Sequence, residues 1–301
     1  MFPDLSLCRF RSDHAAHLGL ISRGQLYDLT ALGRPEYASL EAWLQAASGR
    51  ATEAIAAVAQ APGAAQPLAA AEQLLVQEQR LLCPLDTQEV WACGVTYEMS
   101  RTARMRESEQ PTLYGRVYDA PRPEIFFKAT PHRVVGPREA VAVRADSKWN
   151  APEAEMALVI TPGLDLVGYT VGNDMSSRDI EGENALYLPQ AKIYDRCCAL
   201  GPVMRLAGGF DPLSQDVTCI IYRDGKVAFR GETSTARIHR PLAELIGYLG
   251  RCNSFPAGAF VLTGTGIVPP DTFSLAAGDV VEITFSALGT LSNPVIELPI
   301  A

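Results

Sequence analysis

Hydrophobic and polar positions divide the chain into two textures. The run LSLCRFRSDHAAHLGLISRGQLYDL predicts two short strands with Gly24 turning between them. SLEAWLQAAS and ATEAIAAVAQA have helical composition, and Pro62-Gly63 breaks that pattern. AAAEQLLVQEQRLL predicts a last helix, or a helix running into a strand, with alanine favouring the helix. From Asp86 onward, short β-rich runs alternate with Gly and Pro, among them VWACGVTY, EIFFKAT, MALVITPG and LVGYTVGND. Arg223-Asp224-Gly225-Lys226 carries the Asp-Gly signal of a tight hairpin, and SALGTLSN suggests a second one. RPLAELIGYLGR interrupts the strands as a helix, with Leu242, Leu245, Ile246 and Leu249 at helical spacing. The expectation is an α+β chain. Residues 1–85 would form a small N-terminal α/β domain, and residues 86–301 a catalytic domain of rolled, barrel-like mixed sheets.

Composition narrows the function. Of 301 residues, 26 are Lys or Arg and 34 are Asp or Glu, a formal charge of -8. That balance argues against a nucleic-acid partner, which needs a basic face. No run approaches the ~18 apolar residues of a membrane span. The opening MFPDLSLCRF lacks the basic start and apolar run of a signal peptide. Seven cysteines, with no CxxC pair, fit a reduced cytoplasmic protein. Four histidines make an imidazole-built site improbable and turn attention to oxygen ligands. GxGxxG, GxxxxGK[ST], HExxH and GxSxG are absent.

The chemistry-bearing signals lie in the β-rich part. Glu153 and Glu155, two apart at the mouth of an apolar strand, point to one face. Two carboxylates so close need solvent or a cation to relieve their repulsion. LVGYTVGND ends in Asp174, which would make a third carboxylate; Mg²⁺ or Mn²⁺ suits such a set. Lys192 in QAKIYD would hold a substrate carboxylate or donate a proton. Thr263-Gly264-Thr265-Gly266 is a turn whose backbone N–H groups suit an anion. CGVTYEMSRTARMRESE leaves a strand for an Arg/Glu-rich helix, whose charges also suit a solvated face. In RPEIFFK, Glu124 and Lys128 flank Phe126-Phe127.

In order, GVTYEMS, RPEIFFK, E-x-E, GYTVGNDMSSRD, QAKIYD, TGTG and GDVVEITFSALGTLSNPV resemble the fumarylacetoacetate hydrolase family over residues 90 to 297. The resemblance implies a homodimer or homotetramer acting on a small 2-oxo acid. It implies Mg²⁺ (or Mn²⁺) on Glu153, Glu155 and Asp174, an active-site Lys192, and substrate contacts in the turn at Gly264 and Thr265. One departure bears on the reaction. Hydrolases of the family place a histidine in an Asn-Tyr-x-x-His pattern, where this chain reads Thr96-Tyr97-Glu98-Met99-Ser100. Without that base, water activation for C–C cleavage is lost. GVTYxxS, the RPE-FFK segment and Asn184-Ala-Leu-Tyr-Leu-Pro-Gln-Ala-Lys192 are similar instead to the family's 2-keto-3-deoxy sugar-acid dehydratases. That branch implies dehydration of a 2-keto-3-deoxypentonate to 2,5-dioxopentanoate through a metal-stabilised enolate. Glu124 would be base or acid with Lys192 as partner, and Ser100 a further catalytic candidate. Ser100, Arg104, Glu109 and Lys128 would line the substrate. The alternative within the family is a hydrolase, isomerase or decarboxylase of another 2-oxo acid, such as an acylpyruvate or oxaloacetate.

Overall fold

The computed structural model describes residues 2–107 and 111–300. Its opening run folds as three strands rather than two: Ser6–Ser12, Ala15–Ser22 and Gln25–Asp28. Asp13 and His14 both have positive φ, as do Arg23 and Gly24. Each pair is the left-handed conformation of a two-residue hairpin turn. The first turn contains no glycine and so carries no signal in the residue pattern. Helices Leu40–Ala47 and Ala51–Gln60 follow as composition predicts. Ser39 caps the first of them, its Oγ accepting the Ala42 N–H at 3.0 Å.

Residues 69–82 are less helical than their alanines suggest. Ala69 and Ala70 end the strand Pro67–Ala70, which pairs with Gln25–Asp28. Only residues 71–77 are helical, mostly as the wide turn Gln73–Gln77, and Leu81–Leu82 extends again beside Ser6–Ser12. Strand pairing outweighs a propensity worth only tenths of a kcal/mol per residue.

The long sheet runs Pro67–Ala70, Gln25–Asp28, Ala15–Ser22, Ser6–Ser12, Cys198–Leu206, Leu166–Asp174, Ala154–Ile160, Ala259–Leu262, Glu89–Gly94, Glu124–Ala129. Most neighbours are antiparallel, but Ala259–Leu262 lies parallel to Glu89–Gly94. The sheet is therefore mixed. Its two outermost strands do not pair, so among the described residues no closed barrel forms, and the barrel-like closure expected from the strand pattern is corrected to an open sheet. Pro67 stands in one outermost strand, where its missing N–H costs no ladder bond. A second sheet runs Lys226–Ser234, Asp216–Arg223, Val280–Phe285, Gly289–Leu298, Val141–Arg144. Both sequence-predicted hairpins are in it, the first turning at Asp224 and Gly225, each with positive φ.

One core serves both sheets. Leu158, Val159, Phe260 and Val261 pack in a single buried cluster with Ile283 and Phe285 and with Leu18, Leu20, Trp43 and Leu44. Ser6 and Leu7 pair with Arg205 and Met204. Arg9 donates to the Cys83 carbonyl at 2.8 Å and meets Asp86 at 2.5 Å. The strand Ala154–Ile160 is buried along its whole length, which suits its all-apolar tail. Its N-terminal end opens into the site described next.

Candidate active site

Strand geometry alone assembles three carboxylates. Glu153 and Glu155 share a face because they are two apart. Glu153 and Asp174 exchange main-chain bonds, Glu153 N–H to Asp174 O at 3.2 Å and Asp174 N–H to Glu153 O at 3.1 Å. That cross-strand pairing brings Asp174 onto the same face. One carboxylate oxygen from each residue lies within 4.8 Å of the others, and all three residues are buried. This is a hard, all-oxygen donor set of the kind Mg²⁺ and Mn²⁺ take.

Cations surround Glu153. Its Oε2 accepts from Lys192 Nζ at 2.8 Å, and its Oε1 accepts from Arg104 at 2.6 Å and meets Arg178 at 3.0 Å. Burial works to raise this carboxyl, but Lys192, Arg178 and Arg104 outweigh it and hold Glu153 well below the usual carboxylate range. Glu155 has no such escort. Burial first, then Asp174 and Glu153, push it well above its ordinary value. Its Oε2 accepts the Gly264 N–H at 2.6 Å. The anion cradled by the TGTG turn is thus the chain's own Glu155. Gly264 is required there: its φ is +86°, and a Cβ would fall 2.0 Å from Thr96 Oγ1.

Lys192 ends the short helix Leu188–Lys192. Its Nζ donates to Glu153 Oε2, to Asp174 Oδ2 at 3.1 Å and to Ser176 Oγ at 2.6 Å. Burial disfavours the ammonium, yet Asp174 and Glu153 more than compensate and raise its pKa, so it stands protonated. Glu124 lies at the start of the strand Glu124–Ala129. Burial, with Glu181 adding to it, pushes its carboxyl up to about 7. Both groups line one cleft, Lys192 as an ammonium and Glu124 poised near neutrality.

The cleft is narrow, with a cavity volume of about 30 Å³, and is lined by Glu124, Lys192, Glu153, Asp174, Ser100, Arg104, Gly264 and Thr265. Eight of the eleven residues singled out in the sequence thus meet at one surface, and Glu155 lies in the triad beneath. Lys128 does not reach the cleft. It is fully buried, donates to the Met175 and Lys192 carbonyls at 2.9 and 2.5 Å, and meets Asp174 Oδ1 at 2.5 Å. Glu109 lies outside the described residues. Ser100 lines the cleft, but its hydroxyl donates to the Tyr97 carbonyl at 2.7 Å within its own helical turn. Thr265 Oγ1 similarly closes on the Ile267 N–H at 3.2 Å.

Several neighbours escape a reading of the sequence. Arg104 is one of four inward residues of helix Glu98–Glu107, with Ser100, Ala103 and Glu107. It meets Glu107 at 2.8 Å and Glu181 at 3.3 Å, and Arg178 also meets Glu107, at 2.7 Å. Glu181 faces the cleft from helix Arg178–Glu183. In the sequence, Glu107 and Arg178 look like a solvated helix face and a helix start. The one available signal for Glu181 is its i,i+3 spacing from Arg178. Taken together, Glu107, Glu124, Glu153, Glu155, Asp174 and Glu181 face Arg104, Lys128, Arg178 and Lys192. With all groups ionised, this described cluster carries two unbalanced negative charges, which a divalent cation would offset.

A family model described as fumarylacetoacetate (FAA) hydrolase C-terminal matches residues 90–296. The chain belongs to the fumarylacetoacetate hydrolase family. Among its relatives in that family is the probable 2-keto-3-deoxyxylonate dehydratase of Haloferax volcanii. The two are 52% identical over 213 residues, 70% of this chain and 73% of that one. The 2-dehydro-3-deoxy-D-arabinonate dehydratase of Saccharolobus solfataricus is 47% identical over 225 residues, 73% of this chain and 76% of that one. A solved structure of 2-keto-3-deoxy-D-arabinonate dehydratase complexed with magnesium and 2,5-dioxopentanoate superposes with a TM-score of 0.81 at 36% identity. It covers 98% of this chain and 100% of that one. The open mixed sheets and the carboxylate triad of this fumarylacetoacetate hydrolase family member are thus set in the fold of a dehydratase.

Proposed function

We propose that this chain is a Mg²⁺-dependent hydro-lyase (Mn²⁺ being the alternative ion) that converts a 2-keto-3-deoxypentonate, arabinonate or xylonate in configuration, to 2,5-dioxopentanoate and water. The observation that carries the reading is the meeting of the triad, Glu124 and Lys192 around one cleft. Likeness to the two dehydratases and to the magnesium–2,5-dioxopentanoate complex supports the substrate class. Glu153, Glu155 and Asp174 would hold the cation. Bound there, it would supply Lewis acidity toward the carboxylate and ketone oxygens of a 2-oxo acid, which acidifies C3.

The protein's own groups handle the protons. Glu124, ionised, takes a proton from C3. The C4 hydroxyl then departs as water, taking a proton from Lys192. A proton shift from C5 to C3 through the same pair then gives the C4–C5 enol, and transfer of the enol hydroxyl proton to C4 gives the C5 aldehyde, so atoms balance without an oxidant. Phe126, whose ring centroid lies 5.7 Å from Lys192 Nζ, keeps that ammonium against an apolar wall. Arg104, Ser100 and Thr265 line the same cleft and would meet the sugar hydroxyls. A hydrolase is the weaker reading, because none of His14, His17, His132 or His239 lines the cleft.

A homodimer or homotetramer belongs to the same reading, supported by exposed apolar Leu186 and Val227. A cytoplasmic setting is supported by seven free cysteines. We also keep residues 1–85 as a unit in the build of the chain, since the cleft draws on none of them. No helix of the described residues is long and apolar enough to cross a membrane.

The deciding assay incubates the protein and Mg²⁺ with 2-keto-3-deoxypentonates, oxaloacetate and acylpyruvates and identifies each product. Formation of 2,5-dioxopentanoate is expected; turnover of the other acids alone would overturn the reading. Binding is tested separately by melting. Mg²⁺ at 100 times its Kd should stabilise the fold by about 2.7 kcal/mol, and oxalate should add to this. An unchanged melting temperature on adding Mg²⁺ to EDTA-treated protein would remove the triad as a cation site.

A further inference from the structure

Gly94 and Glu124 stand directly opposite each other in adjacent antiparallel strands. Side chains at such positions share a face, with Cβ atoms about 4.5–5.5 Å apart. Both residues line the cleft. A Cβ built on Gly94 would fall 2.1 Å from Glu124 Oε2, 2.5 Å from its Cδ and 3.1 Å from its Cγ. The carboxyl group of Glu124 therefore fills the volume that a side chain at position 94 would occupy. Backbone conformation does not explain the glycine, because Gly94 is not among the residues with positive φ. Glycine within a strand weakens it, and its usual reason is the close approach of another group.

We propose that Gly94 is a positioning residue, whose missing side chain sets where the Glu124 carboxylate stands in the cleft. This rests on the reading of Glu124 as the group that moves the C3 proton. The three nearest atoms to the missing Cβ all belong to one flexible side chain, and none to the backbone. The closest clashes are therefore relieved by rotating Glu124. That same rotation carries the carboxylate about 1 Å or more from its position, a misplacement that can cost 10²-fold in rate. Tolerance by the fold and intolerance by the chemistry thus have one cause.

The test compares the wild type with Gly94→Ala, Glu124→Ala and the double variant, each read by kcat, KM, melting temperature and the melting response to Mg²⁺. Gly94→Ala should lose kcat about 100-fold, with KM within threefold and the Mg²⁺ response unchanged. The double variant should melt with Glu124→Ala, because the group that the methyl meets has gone. A Gly94→Ala protein that fails to fold, alongside a double variant that folds, also supports the collision with Glu124. The proposal is overturned if Gly94→Ala keeps half or more of kcat. It is equally overturned if the alanine destabilises the Glu124→Ala background. Full turnover by Glu124→Ala would instead remove the catalytic reading of Glu124, while the melting cycle still decides what the methyl meets.

Discussion

Glu153→Gln is expected to abolish turnover and, at the same time, to lower stability by about 3–5 kcal/mol. The substitution reaches the fold as well as the chemistry, because this carboxylate neutralises Lys192, Arg104 and Arg178 at 2.8, 2.6 and 3.0 Å. Glutamine keeps the shape and removes the charge, and its amide turns hydrogen-bond donors toward cations. Removing one partner of a buried ion pair leaves the other uncompensated in a poorly solvated place, which is the costly case. The loss should appear as a lower denaturant midpoint with unchanged slope. The stabilisation by Mg²⁺ should disappear together with it. A variant that unfolds with the wild type and still responds to Mg²⁺ would exclude Glu153 from the ion-binding set.

Glu124→Gln should reduce kcat by 10²–10⁴-fold, the range of a general base, while Mg²⁺ still stabilises the fold. Its pH dependence provides the sharper test. The Glu124 carboxyl is raised to about 7, by burial first and by Glu181 next. A base must be ionised to accept a proton. Below about pH 7 the protonated fraction grows, and kcat/KM should fall tenfold per unit; above it the rate should level off. A divalent cation beside the group would favour the carboxylate and pull the inflection lower. In Glu124→Gln this acid limb should vanish from a profile taken between about pH 5 and 9. Persistence of the same limb at the same inflection would assign it to another group.

What could be read from the residues follows from how local the physics is. Glu153 and Glu155 share a face because a strand alternates, and Asp174 ends the neighbouring strand, so the triad needs only one hairpin to form. The hairpin at Asp224-Gly225 and the helix Leu242–Leu249 are local in the same sense. Depth is not local. Alternation puts Glu124, Phe126 and Lys128 on one face, but it does not say that Lys128 passes beneath the cleft to pin Asp174 and the Lys192 carbonyl. Nor does the pattern of charges on Glu98–Glu107 say whether they meet water or buried counterions. That depends on Arg178–Glu183, which approaches so closely that a Cβ on Gly182 would fall 2.6 Å from the Glu107 carbonyl oxygen. Closure of a sheet is the most remote property of all, since it depends on whether the strands at Pro67 and Glu124 meet.

The strand Ser6–Ser12 also has a bearing on how the protein can be divided. Although every residue assigned to the chemistry follows residue 85, Ser6 and Leu7 cover one side of Cys198–Leu206, and Leu206 donates its N–H to the Leu5 carbonyl. A fragment beginning at residue 86 would carry the whole cleft and yet present the bare backbone of Met204 to Leu206 to solvent. It would also uncover apolar side chains that Leu18, Leu20 and Trp43 now bury. Bare, apolar strand edges recruit other chains. The first strand of this protein thus covers a sheet edge of the part that holds the cleft, although none of its residues lines that cleft.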